Sequence, residues 1–147
     1  MGSCTGLLAV RAIRAGAKQV IALEANEGYI KRAVSHPQIT YYNLAVCSDN
    51  ADAISDLIVR HQISTVIARR VIPEIAAYDS VGMIYELARM FYNLEIDKIF
   101  IEGRLPVANA KNHFSDVKKE LEAFSKYYEQ RLSVKNAYLL KRKTLKE

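Results

Sequence analysis

The chain has 147 residues, half of them apolar and a quarter charged, with 21 basic against 16 acidic side chains and a net charge of +5. That length and composition suit one soluble, globular domain spanning residues 1–147, with a core of its own. No apolar run approaches the roughly 20 residues of a membrane helix, so no membrane partner is expected. Arg11 and Arg14 interrupt the first apolar segment, which argues against a secretory leader.

Met1-Gly2-Ser3-Cys4-Thr5-Gly6 reads as a short polar turn framed by two glycines. Glycine tolerates positive φ and lets a ligand approach the backbone closely. The pattern then predicts a helix over Thr5 to Ala15, stopped by Gly16. The free N–H groups of that helix point back at the turn. Gln19 to Ala25 is an apolar strand carrying Glu24 near its end. A carboxylate there can accept hydrogen bonds from two vicinal ribose hydroxyls, the logic of dinucleotide-binding turns.

Asn26 to Val34 reads as a short helix capped by Asn26 and broken by His36-Pro37. Ile39 to Cys47, rich in β-branched and aromatic residues, is the next strand. Ser48-Asp49-Asn50 forms a turn and cap. Ala51 to His61 places Ile54, Leu57 and Ile58 on one helical face. Thr65 to Ala68 is a strand, and Arg69 to Glu74 carries the chain out of it. Asp79 or Ser80 caps a long helix ending near Leu94. Lys98 to Glu102 is a strand ended by Gly103, and Leu105 to Asn112 is a loop. Ser115 to Tyr128 is an amphipathic helix. Gln130 to Val134 and Ala137 to Arg142 follow as a hairpin turning at Lys135-Asn136. Alternating strands and helices predict an α/β fold with a mostly parallel sheet covered on both faces.

The order of these parts resembles the class I S-adenosylmethionine-dependent methyltransferases, over nearly the whole chain in order of elements and in sequence only through the first motif. In that family the turn commonly reads D/E-x-G-x-G-x-G. Gly2 and Gly6 match the outer glycines, and Cys4 stands where the middle one would be. The resemblance implies a three-layer Rossmann-like fold with a C-terminal antiparallel edge hairpin. It also implies a first strand just before Gly2, missing or supplied by an unseen segment. Lacking it, the chain is expected to be poorly stable or to self-associate. S-adenosylmethionine is the implied cofactor, held by Gly2, Ser3, Cys4, Thr5, Gly6, Glu24, Ala25, Asn26, Ala45 and Val46. Ser48 or Asp49 could accept from the adenine amine, or simply cap the next helix. A Glu24→Gln change is expected to weaken adenosyl binding with little effect on folding.

In such a sheet ligands bind outside the carboxyl ends of the strands. That edge gathers Ser3, Cys4, Thr5, Glu24, Asn26, Cys47, Ser48, Arg69, Arg70 and Arg104. His36 and His61 fall on the opposite edge as surface residues, while His113 follows a strand and more simply approaches a helix. Arg70, Glu74 and Arg104 are the candidate acceptor contacts, since a guanidinium fork matches carboxylate or phosphate. With Glu102 they could instead form a salt-bridge network holding two loops. Arg69, adjacent to Arg70, is expected to point to the other face and snorkel to solvent beside a helix. Many amino-methylating members of the family carry D/N-P-P-Y/F after this strand, and this chain does not.

In the proposed fold Cys4 and Cys47 lie two strand spacings apart, roughly 10 Å, too far for a disulfide. A reduced, cytoplasmic protein is therefore expected. No zinc-ligand spacing occurs, so no metal is expected. The basic end, with Lys135, Lys141, Arg142, Lys143 and Lys146, reads as a solvated edge, with nucleic-acid contact the alternative. No interleaved aromatic platform is visible in the sequence beside it. The expected function is an S-adenosylmethionine-dependent methyltransferase acting on a small-molecule or anionic acceptor of unknown identity. Methyl transfer from a sulfonium needs alignment and exclusion of water more than a nucleophile, and no nucleophile or triad is seen. Two alternatives stay open: a catalytically inactive or regulatory adenosyl-ligand-binding module of the same fold, and a nicotinamide-dinucleotide-binding domain.

Overall fold

In a computed structural model, residues 4–69, 71–72, 75, 79–103, 117–134 and 137–144 are described, without the side chains of 117–120 and 134. The chain divides into two units, Met1–Val46 and Cys47–Glu147.

In the first unit, helix α1 spans Leu7–Arg14, two residues later than its expected start. Gly6 at its N-cap is left-handed, with φ 82°, so the helix cannot include it. Gly16, at φ 101°, donates its amide to Ile13 O and ends the helix as expected. Strands β1 (Val20–Glu24) and β2 (Ile39–Asn43) pair in parallel, Val20 opposite Ile39 and Glu24 opposite Asn43. Ala9 of α1 packs on Ala22 and Ile39, with Val10, Ile13, Val20 and Tyr41 around them. Helix α2 is only Glu27–Ile30, capped as expected by Asn26 Oδ1, which accepts from the Gly28 amide at 2.8 Å. Beyond Ile30 the amides of Arg32 and Ala33 bond three residues back, and Val34 donates to Thr5 O instead. That last bond pulls the chain off the helix axis. Likewise β2 stops at Asn43 rather than Cys47, because β1 ends at Glu24 and offers no further ladder.

The second unit begins with a 3₁₀ turn at Ser48–Asn50 and helix α3, Ala51–Arg60. Ile54, Leu57 and Ile58 form its buried face, as their spacing predicts. Strand β3 (Thr65–Arg69) precedes helix α4 (Val81–Asn93), whose Ser80 N-cap accepts from the Met83 amide at 3.1 Å. Strand β4 (Lys98–Glu102), helix α5 (Val117–Ser125), β5 (Tyr128–Val134) and β6 (Ala137–Arg142) complete it. The sheet order is β3-β4-β6-β5. The β3–β4 ladder is parallel and the two involving β6 are antiparallel. Helix α4 packs against α5, and Met83, Leu87, Phe91, Ile99, Ile101 and Phe124 are buried almost completely. The last helix ends earlier and β5 starts earlier than expected, at Tyr128. That ring is buried, and its hydroxyl donates to Ile96 O at 3.1 Å, fixing where the chain must turn extended. Burial pushes the Tyr128 phenol far above its ordinary pKa, so it stays a neutral donor.

The α/β class and the C-terminal hairpin therefore agree with expectation. The described strands form two sheets, one parallel and two-stranded, the other mixed and four-stranded.

In β1, Val20 N donates to Gln38 O and Glu24 O accepts from Leu44 N. Alternate residues of a parallel strand address the same neighbour. Ile21 and Leu23 therefore turn their backbone groups away from β2, and no other described strand pairs with β1. Under native-state hydrogen exchange the Ile21 and Leu23 amides should exchange faster than that of Ala22. Protection of Ile21 and Leu23 that grows with protein concentration would mark pairing between copies through this edge. Equal protection of all three amides in the dilute monomer would contradict the single ladder.

Candidate functional site

The polar turn and the end of β1 meet within the first unit, through one carboxylate. Glu24 is the only buried charged side chain among the described residues, 8% exposed. Its Oε2 accepts from the Cys4 amide at 2.7 Å and its Oε1 from the Asn26 amide at 3.0 Å. Backbone donors to a carboxylate are charge-assisted and short, and they offset the cost of burying the group. Among the described residues each oxygen accepts one hydrogen bond, and a carboxylate oxygen can accept two. The main chain at Glu24 is held too, since Asn43 Nδ2 donates to Glu24 O at 3.0 Å and to Ala25 O at 2.9 Å.

Cys4 has φ 48°, in the left-handed region that favours glycine. Cys4 therefore adopts a glycine-like backbone at the place of the resemblance's middle glycine, while adding an exposed thiol. At Gly6 a Cβ would overlap the Tyr41 hydroxyl, so glycine is required by space as well as by φ. Tyr41 in turn donates to Val34 O at 3.0 Å, and burial raises its phenol pKa. Helix α1 has no acidic residue in its first turn and carries Arg11 and Arg14 near its end. That polarity leaves its N-terminus, beside the turn, suited to an anionic group.

Thr5 and Ala25 are exposed, and each offers its carbonyl to an internal donor. Asn26 spends its side chain on capping α2. Ala45 and Val46 are half-buried after β2. Gly2, Ser3, Arg70, Glu74, Arg104 and His113 lie outside the described residues.

In the second unit Ser48 donates its amide and its hydroxyl to Asp79, the hydroxyl at 2.9 and 2.8 Å to the two carboxylate oxygens. Its hydroxyl proton is therefore already engaged. Arg69 is exposed to solvent, as expected, and it lies opposite Glu102 in the β3–β4 ladder, donating from Nε to Glu102 Oε2 at 3.0 Å. Glu102 thus has Arg69 as one ion partner, while Arg70, Glu74 and Arg104, the residues expected to join it, lie outside the described residues. Neither Cys4 nor Cys47 is in a disulfide. Among the described residues, no group of three or more His, Cys, Asp or Glu could hold a metal ion, and no helix is long and apolar enough to cross a membrane.

Sequence reading missed Asn43 and Tyr41, and it named Asp79 only as a cap and not as the partner of Ser48. Asn43 carried a signal, an amide side chain at a strand end opposite Glu24. Tyr41 and the Asp79 pairing carried none, since their partners are set by tertiary packing.

No family model and no curated protein matches the chain in sequence. In structure it is similar to monomeric WbdD, with a TM-score of 0.68, 12% identity, and coverage of 96% of this chain. It spans 35% of that chain. The two share a fold over nearly all of this chain. A putative S-adenosylmethionine dependent methyltransferase from Listeria monocytogenes is similar at a TM-score of 0.48 and 14% identity, covering 99% of this chain and 68% of that one. A likeness of that size carries no argument about fold.

The buried clasp changes what is expected of Glu24→Gln. An amide nitrogen would face one of two backbone donors, so the variant should lose about 1–3 kcal/mol of stability, measured by urea unfolding. At Cys4, a glycine would relieve left-handed strain of about 1–2 kcal/mol, offset in part by its own chain entropy. Cys4→Gly should therefore be at least as stable as the native chain, and Cys4→Val clearly less so. The reverse order would mean that the Cys4 side chain, not the turn geometry, holds this segment.

Proposed function

We propose that the chain binds an adenosyl ligand through its first unit and acts as an S-adenosylmethionine-dependent methyltransferase domain. The observation that carries this reading is the buried Glu24 carboxylate, joined to a left-handed Cys4–Gly6 turn that opens into α1. Its remaining acceptor directions suit the vicinal hydroxyls of a ribose. Gly2, Ser3, Thr5 and Gly6 would let the amino-acid end of the ligand approach the turn. Ala25 and Asn26 would border the ribose, and Ala45 and Val46 would cover the adenine ring. Bound S-adenosylmethionine supplies an activated methyl group on its sulfonium. The chain's own part is to orient the donor and exclude water. For the acceptor, Arg70, Glu74 and Arg104 are the proposed contacts, and an anionic or other small molecule is the proposed class.

Cys4 favours a second reading. Its side chain occupies the point of closest backbone approach, which suits an adenosyl-binding module without catalysis as well as an enzyme. The nicotinamide-dinucleotide alternative shares the ribose logic of Glu24 and needs a separate test.

Titration calorimetry with S-adenosylmethionine, S-adenosylhomocysteine and NAD distinguishes the two adenosyl readings from the dinucleotide one, and methyl transfer to an acceptor separates the enzyme from the module. The two adenosyl ligands should bind and NAD should not. Glu24→Gln, kept folded at low temperature, should weaken their binding by about 1–3 kcal/mol. Binding of NAD alone, or unchanged affinity in folded Glu24→Gln, would overturn the assignment. Once an acceptor is known, Arg70→Ala should lower turnover and leave donor affinity intact; loss of donor binding would remove Arg70 from the acceptor side.

A further inference from the structure

One end of the second unit's sheet gathers side chains that the adenosyl reading does not use. Lys98 opens β4 and lies opposite Lys141 near the end of β6. Arg142 lies opposite Tyr128, and the Lys143 amide donates to Tyr127 O. Lys126 comes from the end of α5, and Tyr92 from the last turn of α4. The rings of Tyr92 and Tyr127 stack with centroids 5.1 Å apart. Arg142 Cζ sits 4.6 Å from the Tyr92 centroid, and Lys126 Nζ sits 5.4 Å from that of Tyr127. Two half-buried tyrosines thus form a ring pair with a cation associated with each ring.

These cations are poorly neutralised. Among the described residues, no carboxylate pairs with Lys126 or Lys141. Glu95 lies 3.9 Å from Arg142 and Asp97 lies 3.7 Å from Lys98, both beyond hydrogen-bond length and both half or more exposed. Glu129, opposite Lys141, pairs with Arg131. Lys143 Nζ donates to Ser125 O, a neutral acceptor. Arg142 Nε is buried without an acceptor. Stacking on Tyr92 therefore fixes the guanidinium, and the exposed Glu95 compensates its charge only weakly.

We propose that this end of the sheet, with Tyr92, Tyr127, Lys126 and Arg142 on one face and Lys98 and Lys141 on the other, is a docking surface for single-stranded nucleic acid that crosses the strand ends. The polyanion fits cations that are unpaired among the described residues (Lys126, Lys141) or only weakly paired (Arg142, Lys98). The tyrosine pair separates a single strand from other polyanions, because an unpaired base can stack on Tyr127 in place of Lys126 while the displaced ammonium turns to a phosphate. A duplex keeps its bases stacked on one another and cannot use the rings.

The test is fluorescence anisotropy of the full chain with a labelled single-stranded RNA of about 12 nucleotides, against a duplex of the same length, heparin, and vesicles of anionic lipid. Single-stranded RNA should bind best, with affinity falling steeply as salt rises. Lys126→Gln and Lys141→Gln, both surface changes, should each weaken binding and lower the salt slope by about 1. Tyr127→Leu should weaken it roughly tenfold with little change in that slope, provided its melting curve matches the native one. If Tyr127→Leu does not fold, the two lysine variants decide the matter. No binding at low salt, equal binding of duplex or heparin, preference for the vesicles, or lysine variants identical to the native chain would each overturn the proposal.

Discussion

Glu24 is ionisable and buried, and a buried carboxylate must be met by donors or lose its charge. The first unit meets it with main-chain amides from both sides, Cys4 from the turn and Asn26 from the start of α2. Other features of this unit follow. The turn is drawn to the end of β1, Cys4 is held in a glycine-like conformation, and Asn43 can bridge the Glu24 and Ala25 carbonyls. Gly6 then has Tyr41 beneath it, with no room for a side chain. The same carboxylate that organises the segment is the one proposed to hold the ribose. Structure and proposed binding are therefore coupled at this residue, and affinity and stability have to be measured separately in its variants.

The second unit is organised differently. Its centre is apolar, with α4 and α5 packed together and Ile99 and Ile101 of β4 fully buried. Polar bonds work at its margins: Ser80 starts α4, Tyr128 anchors β5 to Ile96 O, and Arg69 crosses to Glu102. Asp79 holds Ser48 through both amide and hydroxyl, tying the start of the unit to the approach to α4. The cationic end lies beyond this framework, where positive side chains outnumber effective carboxylate partners. Cations beside the last turn of α4 also complement the helix dipole, so a structural contribution and an open charge coexist there.

The elements themselves were largely legible in the residues. The spacing of Ile54, Leu57 and Ile58, the apolar run of Lys98 to Glu102 and the hairpin strand Ala137 to Arg142 each specify their own period, and each forms where expected. The caps at Asn26 and Ser80 and the stop at Gly16 were legible because they depend on one residue's own chemistry. The acidic residue at the end of β1 was visible as well, and so was its place beside the turn. Where α2 and β2 end was not. Those ends depend on Val34 bonding to Thr5 and on the length of the neighbouring strand, and no local pattern encodes either.

Local chemistry thus determined which segments are helix, strand or turn, and which residue types could serve a ribose or an anion. Only the tertiary structure decided what each side chain spends its hydrogen bonds on. It buried Glu24 between two amides, gave Arg69 to Glu102, and gave Ser48 to Asp79. It also brought Tyr92 to Tyr127 and Arg142 from distant parts of the sequence. The physical reason is the range of the interactions: propensity and capping act over one or two turns, whereas burial and ion pairing depend on which segments the whole chain brings together.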